Sequence, residues 1–422
     1  MKITHLHLQN FRGFENLEIT IPTTSNIAVF IGENGSGKSS VLDAVEKLLS
    51  TVNMRSNNTI QPDDIMIGAL AENCSIAMDL MYLDKKYVSI LRYDQNYSLN
   101  NTENEGLYEI RKIEKKPILL SFKAFAKEPQ RTRYSELIGR NGLYDNCFNR
   151  NVQDDYSFKK WFEYEENIEN EKRLNDDDKF RSPILEAVRQ AVEIFLTTIE
   201  GNAVFKNLRT KRILVKDARR ASMYDSYLYL LKNGKEFNFD QLSSGEKSML
   251  IMVSEIARRL ALANDQKGSI NGIGIVLIDE IEQHLHPKWQ QNILPALAKT
   301  FPKVQFIVAT HSPKILGSLS NDNASIFRLE DGKCFTEDGQ LGRDANWILE
   351  TVMDTPEMDA VPRAAFGAYF EKIRTSDFAD PQARQELVAI RRDLEEKYGA
   401  NHTELNKADI LIARKSKKLP VL

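Results

Sequence analysis

Three short runs of apolar residues, each ending in a cluster of reactive side chains, dominate the hydrophobic pattern. They are Ala28 to Ile31, Gly274 to Ile278 and Val304 to Thr310. Such short runs, fully apolar in the second and β-rich with Gln305 in the third, predict strands buried on both faces, as in a parallel sheet with helices covering it. Ser40 to Val45 opens a helical pattern directly after the first run. Upstream, Ile3, Leu6 and Leu8 alternate with polar residues toward a turn at Asn10-Phe11-Arg12-Gly13-Phe14, which predicts an N-terminal hairpin. Ser75 to Leu83 and Tyr87 to Tyr93 read as further strands. Leu250, Val253, Ala257 and Leu260 form one stripe of a helix.

Two regions are read more coarsely. Residues 110–215 look helical and heavily charged, with Trp161-Phe162-Glu163-Tyr164-Glu165-Glu166 and Asn175-Asp176-Asp177-Asp178 read as solvated faces or loops. Near the C-terminus, Asp380-Pro381 caps a helix that Gly399 can end. Its stripe of Leu387, Ile390, Leu394 and Tyr398 suits core packing or a docking face. The basic tail Ile412 to Lys418 could touch nucleic acid or stand in solvent. The predicted fold class is α/β: a mixed sheet with an inserted helical segment and a helical C-terminal appendage. The expected divisions are 1–109, 110–215, 216–338 and 339–422.

The chemistry lies where the strands end. Gly32-Glu-Asn-Gly-Ser-Gly-Lys-Ser39 between strand and helix is a phosphate-binding loop. Its glycines permit a tight turn whose N–H groups face phosphate oxygens at a helix N-terminus. Lys38 is expected to bridge the β- and γ-phosphates and the Ser39 hydroxyl to ligate Mg²⁺, with Gly32, Asn34, Gly35, Ser36, Gly37 and Ser40 completing the ATP cradle. Asp279 and Glu280 end the second run. They either begin a solvated loop or, beside a phosphate loop, supply a Mg²⁺ ligand (Asp279) and a general base (Glu280). His311, after the third run, can position the attacking water. His284 and His286 lie close by, but Cys74, Cys147 and Cys334 are scattered, so no zinc site is expected. Leu242-Ser243-Ser244-Gly245-Glu246 is an element that completes such a loop from another protein surface.

The order of Asn10 to Phe14, the phosphate loop, Leu242 to Glu246, Asp279-Glu280 and Ala309-Thr310-His311-Ser312-Pro313 resembles ABC-type ATPases of the SMC and RecF group. Ile278 to Gln290 resembles the compact, armless members, including OLD-like proteins and the PtuA-type ATPases of Septu and retron anti-phage systems. The resemblance covers residues 1–50 and 235–330. It implies that Ser243 and Gly245 contact the γ-phosphate held by an opposite protomer, with His284 to Pro287 as the D-loop linking the two sites. It also implies that Arg12 reaches the nucleotide, although a solvated turn residue reads the same way. Gln61 is the candidate Q-loop residue, or an ordinary loop glutamine.

No stretch approaches the roughly 20 apolar residues that span a bilayer, so membrane transport is not expected. No long heptad array separates the phosphate loop from Leu242, which excludes a chromosome-scale SMC protein. With 57 basic against 60 acidic residues among 422, any nucleic-acid contact needs a local patch. Three unpatterned cysteines and the absence of a secretory segment point to the cytoplasm. Beyond Gly339 no Asp-x-Asp of the TOPRIM kind is present, and no HNH pattern appears, so a cutting activity would belong to another chain. Two functions compete: an ATPase, dimeric or higher, that controls a separate HNH-type nuclease or toxin in an anti-phage complex, and a RecF- or SMC-like DNA-maintenance ATPase. A third possibility is a nucleotide-bound scaffold with little turnover.

Overall fold

The computed structural model describes residues 1–51, 60–93, 110, 116–123, 155–175, 177–215, 223–263, 269–353 and 360–416. Cys147, Asp176 and the tail lysines 417 and 418 lie outside them. The described strands are β1 (Lys2–Phe11), β2 (Phe14–Thr20), β3 (Ile27–Ile31), β4 (Ser75–Tyr82), β5 (Lys85–Arg92), β6 (Ile118–Phe122), β7 (Phe205–Val215), β8 (Met223–Lys232), β9 (Lys235–Asn238), β10 (Gly274–Ile278), β11 (Val304–Ala309), β12 (Ala324–Glu330) and β13 (Lys333–Glu337). The helices are α1 (Lys38–Ser50), α2 (Asp155–Asn175), α3 (Pro183–Glu200), α4 (Ser244–Ala263), α5 (Pro287–Thr300), α6 (Pro313–Leu316), α7 (Ala345–Thr351), α8 (Ala360–Thr375), α9 (Pro381–Tyr398) and α10 (Thr403–Ser416).

The central sheet runs β13-β12-β3-β11-β10-β6. Every pairing from β12 to β6 is parallel, and only β13 is antiparallel. Strand alternation divides the apolar runs between two cores, since successive side chains point to opposite faces. Val29, Ile31, Val276, Ile278, Phe306 and Val308 face the core that includes α3, α4 and α5. Ala28, Phe30, Ile275, Leu277, Ile307 and Ala309 face the other, with α1 and the antiparallel sheet β2-β1-β4-β5. Burial on both sides is why these runs carry no polar alternation. The architecture is α/β: a mixed, mostly parallel sheet with α3, α4 and α5 on one face and α1 with an antiparallel sheet on the other.

Three expectations are corrected. The segment 110–215 is not purely helical. β6 lies within it and pairs with β10, and β7 forms a three-stranded antiparallel sheet with β8 and β9. A five-residue strand such as β6, four apolar residues and Ser121, has too few positions to separate strand from helix by period. Nor is the charged run all solvated. Glu166 and Glu169 on α2 are buried, and Arg189 of α3 donates to Glu166 Oε1 at 2.9 Å and to Glu169 Oε2 at 3.0 Å. Glu166 also accepts the Thr210 N–H of β7 at 2.7 Å, so buried charge is matched by charge and backbone donors.

The third correction concerns the C-terminal boundary. The chain forms two compact units, Met1–Met353 and Asp354–Leu422, rather than dividing at 338/339. Ile348 and Val352 belong to the core of the first unit, which draws α7 into it. In the second unit, Asp380 caps α9 by accepting the Gln382 N–H at 2.9 Å, and Gly399 follows at φ +93°. Leu387 and Leu394 are buried against Phe366, Tyr369, Ile373 and Leu405, with Ile390 and Tyr398 packed on them. The stripe is therefore core, not an open docking face. Lys415 donates to the Ile373 and Arg374 carbonyls, so part of the basic tail serves the fold.

Leu394→Ala is expected to destabilise the second unit by about 2–5 kcal/mol, the range for deleting a buried leucine side chain. All three tryptophans (Trp161, Trp289 and Trp347) belong to the first unit, so their fluorescence reports that unit alone while circular dichroism follows the helices of both. A helical signal that melts as in the wild type would show that Leu394 carries no core weight.

Candidate functional site

The site assembles where β3, β11 and β10 end side by side. Phe30 pairs with Ala309, and Val308 pairs with Ile278. Residues just beyond these positions, Gly32 to Ser39, His311 and Asp279-Glu280, thus leave one edge of the sheet together, where parallel α/β sheets gather ligands. The sequence-predicted phosphate, metal and water groups converge.

The phosphate loop turns sharply into α1. Gly37 sits at φ +99°, and a Cβ there would lie 2.3 Å from Phe14 Cζ. The buried Phe14 ring, at the hairpin turn, thereby supports the loop from below, and only glycine fits above it. Lys38 Nζ donates to the carbonyls of Gly32 at 2.9 Å and Glu33 at 2.7 Å. Burial depresses its pKa, against the pull of Asp279, Glu282 and Glu280.

Asp279 and Glu280 face this loop differently. Burial raises the Asp279 pKa, while a hydrogen bond with the Ser39 side chain opposes the rise. A hydroxyl and a carboxylate in contact form a hard-oxygen pair of the kind Mg²⁺ accepts. Glu280, half-buried, has its pKa raised by desolvation first and then by Asp279 and Glu282. Its backbone sits at φ +50°, an uncommon conformation for glutamate and a form of local strain seen at functional turns. The His311 pKa is lowered by burial and then by Lys38, which leaves its imidazole neutral at pH 7.

Arg12 differs from expectation in its partners. Its guanidinium donates to Asp43 Oδ2 at 2.7 Å and to Asp64 Oδ1 at 3.0 Å, so carboxylates occupy it. Asp43 lies on α1 and also accepts from Lys123 Nζ at 2.7 Å. Gln61 is exposed and heads the turn Pro62–Asp64, where its N–H donates to Asp64 Oδ2 at 2.9 Å. Lys123 directly follows β6, the strand beside β10, and reaches Glu46 at 3.3 Å as well as Asp43. Sequence reasoning missed Lys123 because it missed β6.

The element Leu242 to Glu246 begins α4. Exposed Ser243 and Glu246 form a capping box: Glu246 Oε2 accepts the Ser243 N–H at 2.8 Å and its hydroxyl at 2.7 Å, and the Glu246 N–H donates to Ser243 Oγ at 3.3 Å. Gly245 is buried against the turn after Glu280, where a Cβ would fall 2.3 Å from the His284 carbonyl oxygen. Beside this contact lies a small cavity lined by Lys123, Ser248, Met252, Asp279, Glu280 and His284. Two further residues were missed. Glu282 accepts hydrogen bonds from Thr310 and His311, and Gln290 accepts one from Ser312. His286 caps α5 by accepting the Lys288 N–H at 3.3 Å, a structural role. Among the described residues no group of three or more His, Cys, Asp or Glu could hold a metal by itself, and no helix is long and apolar enough to cross a membrane.

A family model described as "AAA domain, putative AbiEii toxin, Type IV TA system" matches residues 27–317. The chain is similar to the Retron Ec83 probable ATPase of Escherichia coli, at 27% identity over a gapped alignment of 478 positions, covering 96% of this chain and 85% of that protein. It is also similar to the Septu protein PtuA of Bacillus mycoides, at 23% identity, covering 84% of this chain and 46% of that protein. Among solved structures, the SMC head domain from Thermotoga maritima aligns at 14% identity over 80% of this chain and 99% of that chain, with a TM-score of 0.43.

Gly245→Ala is expected to cost about 1–3 kcal/mol of stability, since its methyl group must displace the His284 backbone and not a flexible side chain. Thermal unfolding measures the loss. Wild-type stability in this variant would mean that α4 and the turn are not in the close contact described.

Proposed function

Because the chain belongs to this AAA-domain family, we propose that it hydrolyses ATP to ADP and phosphate in sites shared by two copies, and so controls a separate effector. The observation that carries the reading is the convergence of Lys38, the Ser39–Asp279 pair, Glu280 and His311 at one sheet edge. In this reading the loop amides and Lys38 bind the β- and γ-phosphates. Ser39 and Asp279 would hold Mg²⁺, which supplies charge neutralisation for the transferring phosphoryl group. Glu280, made more basic by burial and two neighbouring carboxylates, takes the proton of the attacking water. Neutral His311 orients that water and the γ-phosphate.

Dimerisation follows from Ser243. Ser243 and Ser244 are exposed at the N-terminus of the 20-residue helix α4, a position that favours anions, with Glu246 as the internal partner a phosphate would replace. In the proposed dimer they meet the γ-phosphate held by the other copy. The effector role draws on the retron and Septu relatives and on the absence of TOPRIM and HNH patterns from this sequence: a nuclease or toxin supplied by another chain, in an anti-phage complex.

Glu280→Gln is expected to retain ATP binding and to lose about 10²-fold or more in turnover. The wild-type rate should fall as pH drops through the Glu280 pKa, which burial places above the ordinary carboxylate value of 4.5. That acid limb should be absent from the residual activity of the variant. Unchanged hydrolysis by Glu280→Gln removes it from the role of base.

Shared sites predict complementation. Ser243→Arg and Lys38→Ala should each be inactive alone, yet a mixture can form one composite site with both elements intact and recover part of the activity. Full turnover by Ser243→Arg alone would refute a contribution from the second copy.

A further inference from the structure

The loop carrying His311 is fastened to the turn that follows Glu280. Glu282 Oε1 accepts the His311 N–H at 2.6 Å, and Oε2 accepts the Thr310 hydroxyl at 2.7 Å. Thr310 is fully buried, and its Oγ1 accepts the Ser312 N–H at 3.0 Å. The Ser312 hydroxyl donates to Gln290 Oε1 at 2.9 Å, and Gln290 Nε2 donates to the Leu285 carbonyl at 3.1 Å. Two donors one residue apart, a hydroxyl and an amide, thus meet the two oxygens of one carboxylate. Carboxylate acceptors make shorter and stronger bonds than neutral ones, and both oxygens are used on the same loop.

We propose that Glu282 is a positioning residue for ATP hydrolysis, acting through His311: its carboxylate fixes the first residues of the histidine loop so that the imidazole keeps its place at the edge where β3, β11 and β10 end. The proposal rests on the hydrolytic reading of His311. The anchoring is local. The His311 backbone is tied at its own N–H, so loss of the tie displaces the ring without touching the phosphate loop. Glu282 is also two residues from His284, whose carbonyl seats on Gly245, so the same turn joins the start of α4 to the histidine.

The test uses the full chain, with turnover measured at limiting and saturating ATP and amide hydrogen exchange followed in the nucleotide-free protein. Glu282→Ala is expected to lower kcat by about 10²-fold, the scale of a small misplacement of a reacting group, with KM nearly unchanged. It should also speed exchange of the His311 amide. Glu282→Gln should restore much of the rate, because its carbonyl oxygen still accepts from His311 and its amide can donate to Thr310 Oγ1. Thr310→Val, which removes one of the two donors, should give an intermediate loss and keeps the test open if Glu282→Ala does not fold.

The deciding arm is the double variant. In a His311→Ala background, assayed at a pH well above the Glu280 pKa so that the charge of Glu282 on that base matters little, Glu282→Ala should cost little further activity, because the tie acts through the histidine. Losses that multiply, a defect confined to KM, or unchanged exchange at His311 would each overturn the proposal. Wild-type turnover in His311→Ala would instead overturn the hydrolytic role of His311, and with it the premise.

Discussion

Parallel pairing of β3, β11 and β10 is the constraint on which the rest depends. Each strand is apolar on both faces and buried, so its register is set by two cores at once. A slip of one residue would exchange the faces of every side chain. It would also shift the residues beyond the strand by about 3.3 Å, the rise per residue. Ser39 could then no longer meet Asp279. The hydrophobic packing that stabilises the sheet therefore also sets the geometry of the phosphate edge.

From that edge, positioning passes outward through polar contacts. The Asp279 N–H donates to the Phe122 carbonyl at 3.0 Å, extending the ladder one step past β10. Beyond it the turn leaves strand geometry, with Glu280 at φ +50° and His284 at φ +60°. Such conformations persist where surroundings over-determine them. Here Glu282 and Gln290 hold the histidine loop on one side of the turn, and Gly245 receives the His284 carbonyl on the other.

Much of this was legible in the sequence, and the reasons for what was not are specific. The phosphate loop, Asp279-Glu280 and His311 announce themselves because reactive side chains follow continuous apolar runs. The stripe of α4 and the capped helix at Asp380-Pro381 follow from period and end signals. β6 was hidden because four apolar residues and Ser121 fit either period, and Lys123 was lost with it. Glu166 looked like one charge in a solvated run, because its partners Arg189 and Thr210 are distant in sequence. Arg12 was assigned by resemblance to a nucleotide contact. Its pairing with Asp43 and Asp64 depends on where α1 and the turn at Pro62 meet the hairpin, which no local pattern encodes.

The capping box at α4 shows how a closed and an open state can lie close in energy. In a single copy, the N-terminal amide and hydroxyl of Ser243 are not left bare, since Glu246 supplies an anion to both. An unsatisfied helix terminus would favour association indiscriminately, because buried donors without partners are costly. In the proposed dimer a phosphate replaces that carboxylate, so one charge-assisted contact is exchanged for another. The net drive for closure is then small unless the incoming anion carries more charge and better geometry than Glu246. A γ-phosphate meets that condition and a β-phosphate end, once hydrolysis has removed it, does not reach as far. In the proposed dimer, internal capping by Glu246 would make association conditional on the triphosphate, and the Glu282 tether to His311 lies on the turn that the same helix start contacts.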